Sequence, residues 1–372
     1  MITRHHKLLS ATPGTRQQLV SLHHGPAGAR PKVLIQAALH ADEVPALLVA
    51  HHLRQRLAEL DAQGRVLGEV VLVPAANPIG LHQRLLYGHP GRFDLASGQN
   101  FNRAYADLSA DVALAVEALL GDDAEHNVQL VRAALSAAVA ALPVASSLDS
   151  LRQTLYALAV DADYVLDLHC DGEAVLHGYT TPACWPDLQL LARCLGALPV
   201  LLADQSGGEP FDEACSGVWP AVARRLAKPR PLPQACCAMT IELRGEADVD
   251  HALAAQDAEA ILRFLTLRGV LAGEATEPPE LAGHATPLAG AMPINAPHGG
   301  VVVFRCALGA QLQVGALVAD LIDPFSGQST PLTSPVAGLL YARDHRRWVA
   351  AGMPVARVAG AEVLRSGPLL SA

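Results

Sequence analysis

Residues 33–45 read VLIQAALHADEVP, an apolar run followed directly by a histidine, two acidic residues and a proline. A continuous apolar run is typical of a strand buried on both faces, and proline is favoured in the first turn of a helix. The stretch therefore predicts a strand, a turn and a helix that begins at Pro45. His40 and Glu43 lie in that turn and suit Zn²⁺, but His-x-x-Glu alone is too common to establish a metal site.

The composition indicates a globular protein with a small-molecule partner. The chain has 372 residues, of which 51% are hydrophobic, so it can bury a large core. No apolar run is long enough to span a membrane, the first residues lack the apolar core of a signal peptide, and a net charge of −9 argues against nucleic acid. Seven cysteines without a Cys-x-x-Cys pair are typical of a reducing compartment. We therefore expect a cytoplasmic protein that binds neither membrane nor nucleic acid and that could form a homo-oligomer.

Apolar runs alternate with helical stretches over residues 1–275, which predicts an α/β domain with a mixed sheet flanked by helices. Strands are expected at 33–39, 69–73, 164–168, 200–202 and 238–243. Helices are expected at 45–60, 111–120, 127–142, 148–160, 187–195 and 250–268. The helical insert between residues 111 and 160 has a one-face apolar spacing, so we interpret it as structural cover.

Residues 287–372 differ from the rest because short β runs are separated by glycine and proline, after a linker-like stretch at 271–287. A weak repeat relates APHGGVV (296–302) to SPVAGLL (334–340), and VGALVA (314–319) to AGMPVA (351–356). The repeat predicts a small all-β barrel that resembles a biotinyl/lipoyl-type domain. No lysine follows Lys228, which excludes covalent biotin or lipoate, so a structural or oligomer-forming domain is favoured.

A catalytic zinc usually has three protein ligands, so His40 and Glu43 need one more. The best candidate is His169, which closes the apolar run 164–168, because the ends of strands at one edge of an α/β sheet converge on the site. Asp167, two residues earlier, could hydrogen-bond a ligand imidazole. Three other histidines are weaker candidates for contact with a substrate: His82, His89 and His177.

Glu242 is the candidate general base because a charged residue at the end of an apolar strand is unexpected unless the strand opens on a polar site. A surface ion pair between Glu242 and Arg244 is an equally good interpretation of these residues alone. Arg244 could instead face the substrate. Asp171 and Glu173, just after the expected His169 ligand, are rival bases.

The segment from residue 77 to residue 103 supplies arginines and asparagines after a strand end. Arginine can bind a carboxylate through two hydrogen bonds or stabilise a developing oxyanion. A polar surface loop is nevertheless the simpler interpretation of this segment by itself.

Taken in order, the motifs His-x-x-Glu, Asn-Pro, Asn-Arg, Asp-x-His and a late-strand glutamate resemble the succinylglutamate desuccinylase/aspartoacylase family of zinc deacylases, related to the zinc carboxypeptidases. The likeness covers about residues 30–260, and the appended β domain is also characteristic of the family. The resemblance implies a zinc carboxypeptidase-like catalytic domain within residues 1–275. It further implies one Zn²⁺ per chain, with the metal ligands His40, Glu43 and His169.

The same resemblance assigns roles around the metal. Glu242 would be the general base and acid, Asn102 and Arg103 would bind a substrate carboxylate, and Arg92 would polarise the scissile carbonyl. The sequence departs from the family in two places. The stretch between Arg92 and Asn102 is longer than in the shorter aspartoacylases, and alanines stand at positions 38 and 41 where many relatives have glycines.

These patterns predict a zinc-dependent amidohydrolase that removes the acyl group from an N-acyl amino acid or a related small N-acyl amine. A metallocarboxypeptidase that cleaves C-terminal residues of short peptides is the alternative with the same machinery. A binding protein that keeps the fold without chemistry is a third hypothesis, which the complete set of ligands and base disfavours.

Overall fold

A computed structural model of the protein describes residues 1–281 and 283–370. Its larger part is a nine-stranded mixed sheet in the order β1-β2-β4-β3-β5-β9-β7-β8-β10. The short β6 follows β5 but pairs elsewhere. The strands are β1 Ile2–Leu8, β2 Gln17–His24, β3 Lys32–Ala37, β4 Glu69–Val73, β5 Tyr164–Asp171, β6 Glu173–Ala174, β7 His177–Thr180, β8 Val200–Leu202, β9 Cys237–Gly245 and β10 Ala285–Pro287.

The centre of the sheet is parallel, because β4, β3, β5 and β9 all run in one direction. Val33 lies opposite Tyr164 and Tyr164 opposite Cys237, and near the other end His169 lies opposite Glu242. The apolar residues of β3 and β4 are buried on both faces, as expected for a parallel sheet covered by helices. The carboxyl ends of β3, β5 and β9 therefore meet at one edge, where their polar residues are brought together.

Helices cover both faces of this sheet. One apolar layer packs α1, α6 and α8 against it, and a second packs α3, α4, α5 and α7 against the opposite face. The predicted mixed sheet flanked by helices is confirmed, and α7 is a helix that the sequence pattern did not reveal. The helices are α1 Pro45–Ala62, α2 Pro78–His82, α3 Ser109–Val116, α4 Ala124–Ala140, α5 Ser147–Ala159, α6 Trp185–Leu195, α7 Phe211–Arg225 and α8 His251–Leu267.

Two antiparallel sheets form the C-terminal region. One has the order β11-β18-β16-β13 with β6 added on β16, and the other has the order β15-β14-β12-β17. The predicted all-β character of this region is confirmed, and because the pairings show two antiparallel sheets, a closed barrel stays a prediction. The strands are β11 Ala291–Asn295, β12 Gly300–Phe304, β13 Gln311–Leu312, β14 Leu317–Ile322, β15 Ser329–Thr333, β16 Gly338–Arg343, β17 Trp348–Val349 and β18 Pro354–Gly360.

Strands join the two parts of the chain in both directions. Within the stretch expected to be a linker, β10 pairs in parallel with β8 and is the last strand of the large sheet. Conversely β6, which follows β5, pairs with β16 of the C-terminal region. The C-terminal strands are therefore held beside the β5 end that carries His169. No helix in the described part of the chain has the length and apolar character needed to cross a bilayer.

Candidate metal centre and active-site cavity

The turn between β3 and α1 presents His40 and Glu43 at the edge of the sheet. Ala38 starts this turn in the left-handed region, with φ 57°, a conformation that favours glycine and explains the glycine preference there. A second loop clamps the turn: the Ala41 amide donates to the Gly91 carbonyl over 3.0 Å, and the Gly91 amide donates to Asp42 Oδ2 over 3.1 Å. The turn is thus fixed by its neighbours rather than by its own residues.

His40, Glu43 and His169 come together as a buried group whose ligand-type atoms all lie within 4.8 Å of one another. The Glu43 carboxylate lies between the two rings, with Oε1 2.8 Å from His40 Nδ1 and Oε2 2.7 Å from His169 Nδ1. The Cys170 amide also donates to Glu43 Oε2 over 3.1 Å. Burial raises the pKa of Glu43, but the two imidazoles lower it more, and the carboxyl is held well below its ordinary range.

The far nitrogen of each imidazole faces an oxygen acceptor. Asp167 Oδ2 lies 3.1 Å from His169 Nε2, and Asn100 Oδ1 lies 2.9 Å from His40 Nε2. Gln36 donates to the other Asp167 oxygen over 2.9 Å. A metal ion bound at Nδ1 would require the proton of each ring on Nε2, beside these oxygens. The contact predicted for Asp167 is present.

This arrangement fits a metal ion. An imidazole Nδ1 lone pair and a carboxylate oxygen less than 3 Å apart are both electron-rich, so they need a positive charge between them, from a proton or a metal. Two imidazoles and one carboxylate are also the protein ligands of many catalytic zinc sites, where the fourth position is left to water. The donor set therefore suits Zn²⁺, with the three ligands that the sequence predicts.

Glu242 lies on β9 opposite His169, and its Oε2 atom is buried with no hydrogen-bond partner among the described residues. Burial, with the neighbouring charges of Glu43 and Asp171, raises the pKa of Glu242 to about 8. An unpaired buried carboxylate is costly unless the site uses it. Its position beside the metal-ligand group is that expected of a general base.

Asp171 and Glu173, the two rival bases, form ion pairs with arginines of the C-terminal region. Asp171 Oδ2 accepts from Arg357 over 2.6 Å, and Glu173 accepts from both Arg343 and Arg347, each over 2.5 Å. Both carboxylates are therefore occupied as hydrogen-bond acceptors. Although burial opposes the change, Arg343 and Arg347 lower the pKa of Glu173.

Arg244 is not brought into the site. Its guanidinium donates two hydrogen bonds to Asp257 on α8, over 2.7 and 2.9 Å, and it is not among the residues that line the cavity. Arg244 was expected to face the substrate because it lies two residues after Glu242, and in a regular strand such side chains lie on the same face. The backbone breaks that alternation, because Arg244 has φ 67° and turns its side chain towards α8. The surface pair between Glu242 and Arg244 is likewise absent among the described contacts.

Arg92 lies at the mouth of the metal-ligand group. Its Nη1 donates to His40 Nδ1 over 3.2 Å and lies 3.4 Å from Glu43 Oε1, while the side chain stays partly exposed. Asn102 lies deeper, where its Nδ2 is 3.5 Å from His169 Nε2 and its Oδ1 accepts from the amide of Phe211 at the start of α7. Arg103 follows and lines the same cavity.

A cavity of about 310 Å³ contains the metal-ligand group, Glu242, Arg92, Asn102 and Arg103. Its size is at the low end for pockets that take small molecules. His82, His89 and His177 are not among the described residues that line it. The opposite wall comes from the C-terminal region and includes Arg343, Asp344, His345, Val355 and Arg357.

Three buried or half-buried polar residues at the site were missed by sequence reasoning. Asn100 lies beside His40, and its place in the polar segment 77–103 was the only signal for it. Asp212 and Glu213 begin α7, which has an internal proline, Pro220, and was not predicted as a helix. Burial first, and then the charge of a neighbouring carboxylate, raise the pKa of Asp212 to about 6 and that of Glu213 to about 7.

Comparison with known families agrees with this geometry. A sequence model described as the succinylglutamate desuccinylase/aspartoacylase catalytic domain matches residues 29–268. The chain belongs to this family. The family consists of deacylases, so the chain belongs to a group of hydrolases, and the recognition made from the motifs is confirmed. No curated protein sequence matches the chain.

Solved structures share this fold over almost the whole chain. One from Shewanella amazonensis is 26% identical, covers 96% of this chain and 98% of its own, and superposes with a TM-score of 0.85. One from Shewanella frigidimarina is 24% identical over 96% and 97% of the two chains, with a TM-score of 0.83. The product-bound ectoine utilization protein EutE (DoeB) of Ruegeria pomeroyi is 16% identical over 96% and 94%, with a TM-score of 0.69. The C-terminal region is thus part of the fold that these chains share.

Proposed function

We propose that the protein is a zinc-dependent amidohydrolase that releases the acyl group of an N-acyl amino acid or a related small N-acyl amine. The observation that carries this proposal is the Glu242 carboxylate, whose Oε2 atom is buried and unpaired, in one cavity with the His40–Glu43–His169 group. A binding protein gains nothing from burying an unpaired carboxylate beside a metal-ligand set, whereas a hydrolase needs both.

His40, Glu43 and His169 would hold the zinc. When bound, the metal supplies a positive charge that lowers the pKa of water and polarises a carbonyl oxygen. Asp167 and Asn100 hold the two rings so that Nδ1 is presented for coordination.

Glu242 moves the proton in the reaction. Its unpaired Oε2 accepts a proton from the attacking water as the oxygen adds to the amide carbon. When the carbon–nitrogen bond breaks, the same oxygen returns that proton to the departing amine nitrogen. Arg92 donates to the oxygen that gains negative charge in the tetrahedral stage, and its exposed position lets it move towards a substrate.

Asn102 and Arg103 are proposed to bind a carboxylate of the substrate. Arg103 lines the cavity on the α7 side, and Asn102 connects the start of α7 to His169. A cavity of about 310 Å³ has room for one acylated amino acid.

The proposal is tested with zinc-loaded Glu242→Gln protein on N-acyl amino acids and on short peptides. We expect kcat to fall by about 10²- to 10⁴-fold while zinc content stays at one per chain. Glu246→Gln is the matched control, because Glu246 lines the same cavity but is exposed. Unchanged turnover by Glu242→Gln would contradict the mechanism, and hydrolysis of peptides alone would favour the carboxypeptidase.

A further inference from the structure

The last described segment, residues 361–370, runs from the C-terminal region back to the active-site cavity. It leaves β18 at Gly360, and the amides of Leu364 and Arg365 both donate to the Ala289 carbonyl over 3.0 Å. Further along, the amides of Leu369 and Leu370 donate to the Ser206 carbonyl over 2.7 and 3.0 Å. We call this segment the strap, because it is tied at both ends.

Side chains also fix the strap in place. Arg365 donates to the Ala291 carbonyl over 3.1 Å and to the Leu369 carbonyl over 2.6 Å. Leu369 is only 9% exposed and packs in an apolar cluster with Leu201 and Leu288. A segment with these contacts is held against its neighbours.

Leu370 is the residue of the strap that lines the cavity. It belongs to an apolar patch of the cavity wall with Leu201, Ala203 and Leu288, all from the same cluster. The patch contrasts with the charged wall around Arg92 and Glu242. Leu370 therefore offers a hydrocarbon surface to whatever occupies that end of the cavity.

The loop that the strap holds is in contact with Arg103. A Cβ atom added to Gly207 would lie 3.0 Å from Pro368 Cβ, and one added to Gly208 would lie 2.7 Å from Arg103 Cδ. The Ala104 amide donates to the Gly208 carbonyl over 2.8 Å. The loop thus lies between the strap and Arg103, and Leu370 and Arg103 line the same cavity on either side of it.

We infer that Leu370 and the strap set the size of the apolar side chain that the cavity accepts on an N-acyl amino acid. This inference rests on the proposed function, in which Arg103 binds the substrate carboxylate. The carboxylate and the side chain of an amino acid are attached to the same carbon atom. If Arg103 binds the carboxylate of the substrate, the substrate's side chain can extend to the apolar patch. The volume of the Leu370 side chain then decides whether a larger substrate side chain fits.

The test measures dissociation constants by calorimetry on zinc-loaded Glu242→Gln protein, which binds without turnover. The probes are N-acetylalanine, N-acetylleucine and N-acetylphenylalanine. Leu370→Ala should strengthen binding of N-acetylphenylalanine relative to N-acetylalanine about tenfold, and Leu370→Trp should weaken it about tenfold. Leu364→Ala is the matched control, because Leu364 is an exposed leucine of the strap that does not line the cavity.

Outcomes for the inference and for the proposed function are separable. An unchanged order of affinities in both Leu370 variants, or no binding of any probe, would overturn the inference. Turnover of the same probes is measured with Glu242 intact. A shifted order of affinities without turnover would support the role of Leu370 and contradict the amidohydrolase activity. Turnover with an unshifted order of affinities would support the activity and contradict the role of Leu370.

Discussion

The two sides of the cavity are built in different ways. The side with the metal-ligand group comes from the ends of β5 and β9 and from the turn after β3, where His169 and Glu242 lie opposite each other in the sheet. The other side comes from α7, the strap and the C-terminal region, joined by ion pairs such as Asp171–Arg357. Strand ends position the candidate reacting groups, whereas loops and ion pairs shape the space for a substrate.

This difference has a physical basis. Positions at the ends of parallel strands are held by the hydrogen bonds of the whole sheet, so reacting groups stay aligned. The opposite wall depends on a few side-chain contacts, several of them partly exposed, which contribute less and change easily. Mutations on the first side should abolish catalysis, and those on the second should change which substrate is used.

The largest effect is expected for His169→Ala on the metal side. Loss of one of three ligands should remove zinc from the purified protein and lower kcat/KM by at least about 10³-fold, because the metal contributes several kcal/mol to catalysis. Zinc content by elemental analysis, with activity, checks this. His89→Ala, a histidine outside the cavity, should keep its zinc. Normal turnover by zinc-free His169→Ala protein would refute the metal centre.

The supports of the two histidines should differ in strength. Asp167→Asn removes a charge from behind His169 and should weaken zinc affinity by about 10²-fold, whereas Asn100→Ala removes a neutral acceptor from His40 and should cost about tenfold. Competition with a chromogenic chelator measures both. Equal losses would show that the charge of Asp167 does not matter to the site.

The chemical side was largely predictable from the sequence. Buried apolar runs located β3, β4, β5, β8 and β9, and the convergence of strand ends placed His169 near the His40 turn. The prediction that Arg244 faces the substrate was wrong, because it assumed that side chains alternate along an ordinary strand. The left-handed φ of Arg244 cannot be inferred from the residue type. Asp212 and Glu213 were missed because Pro220 and mixed polarity hide α7.

The substrate side could not be predicted, since its contacts join residues far apart in sequence. Asp171 meets Arg357, and Leu370 meets Ser206, through pairings that no local pattern encodes. The internal repeat did reveal an all-β region at 287–372, although it gave no strand pairing. It could not show that β6 adds to β16 or that β10 adds to β8, because each edge accepts a strand through backbone groups common to all residues.

An intermediate effect is expected for Arg357→Met, which breaks the ion pair between the C-terminal wall and Asp171. KM should rise about tenfold, equivalent to about 1.4 kcal/mol, while zinc content stays constant and kcat changes less than KM. Steady-state kinetics check this. Arg305→Met breaks the comparable Arg305–Asp320 pair away from the cavity and should leave KM unchanged. A fall in kcat alone would instead make Arg357 part of the chemistry.

The last effect leaves catalysis unchanged and concerns stability and pH at the start of α7. Burial first, and then Asp212, raise the pKa of Glu213 from its ordinary 4.5 to about 7. The folded protein therefore holds this proton more tightly than the unfolded chain, so the stability that Glu213 contributes is present below pH 4.5 and is lost as pH rises through 7. Glu213→Gln removes this loss, so the free energy of unfolding of the variant relative to the native protein should rise by about 2 kcal/mol between pH 5 and pH 8. Denaturant unfolding at both pH values measures the difference, with exposed Glu209→Gln as the control. A constant difference across this range would show that Glu213 is charged in the folded protein throughout, and that α7 presents a fixed negative charge to the substrate.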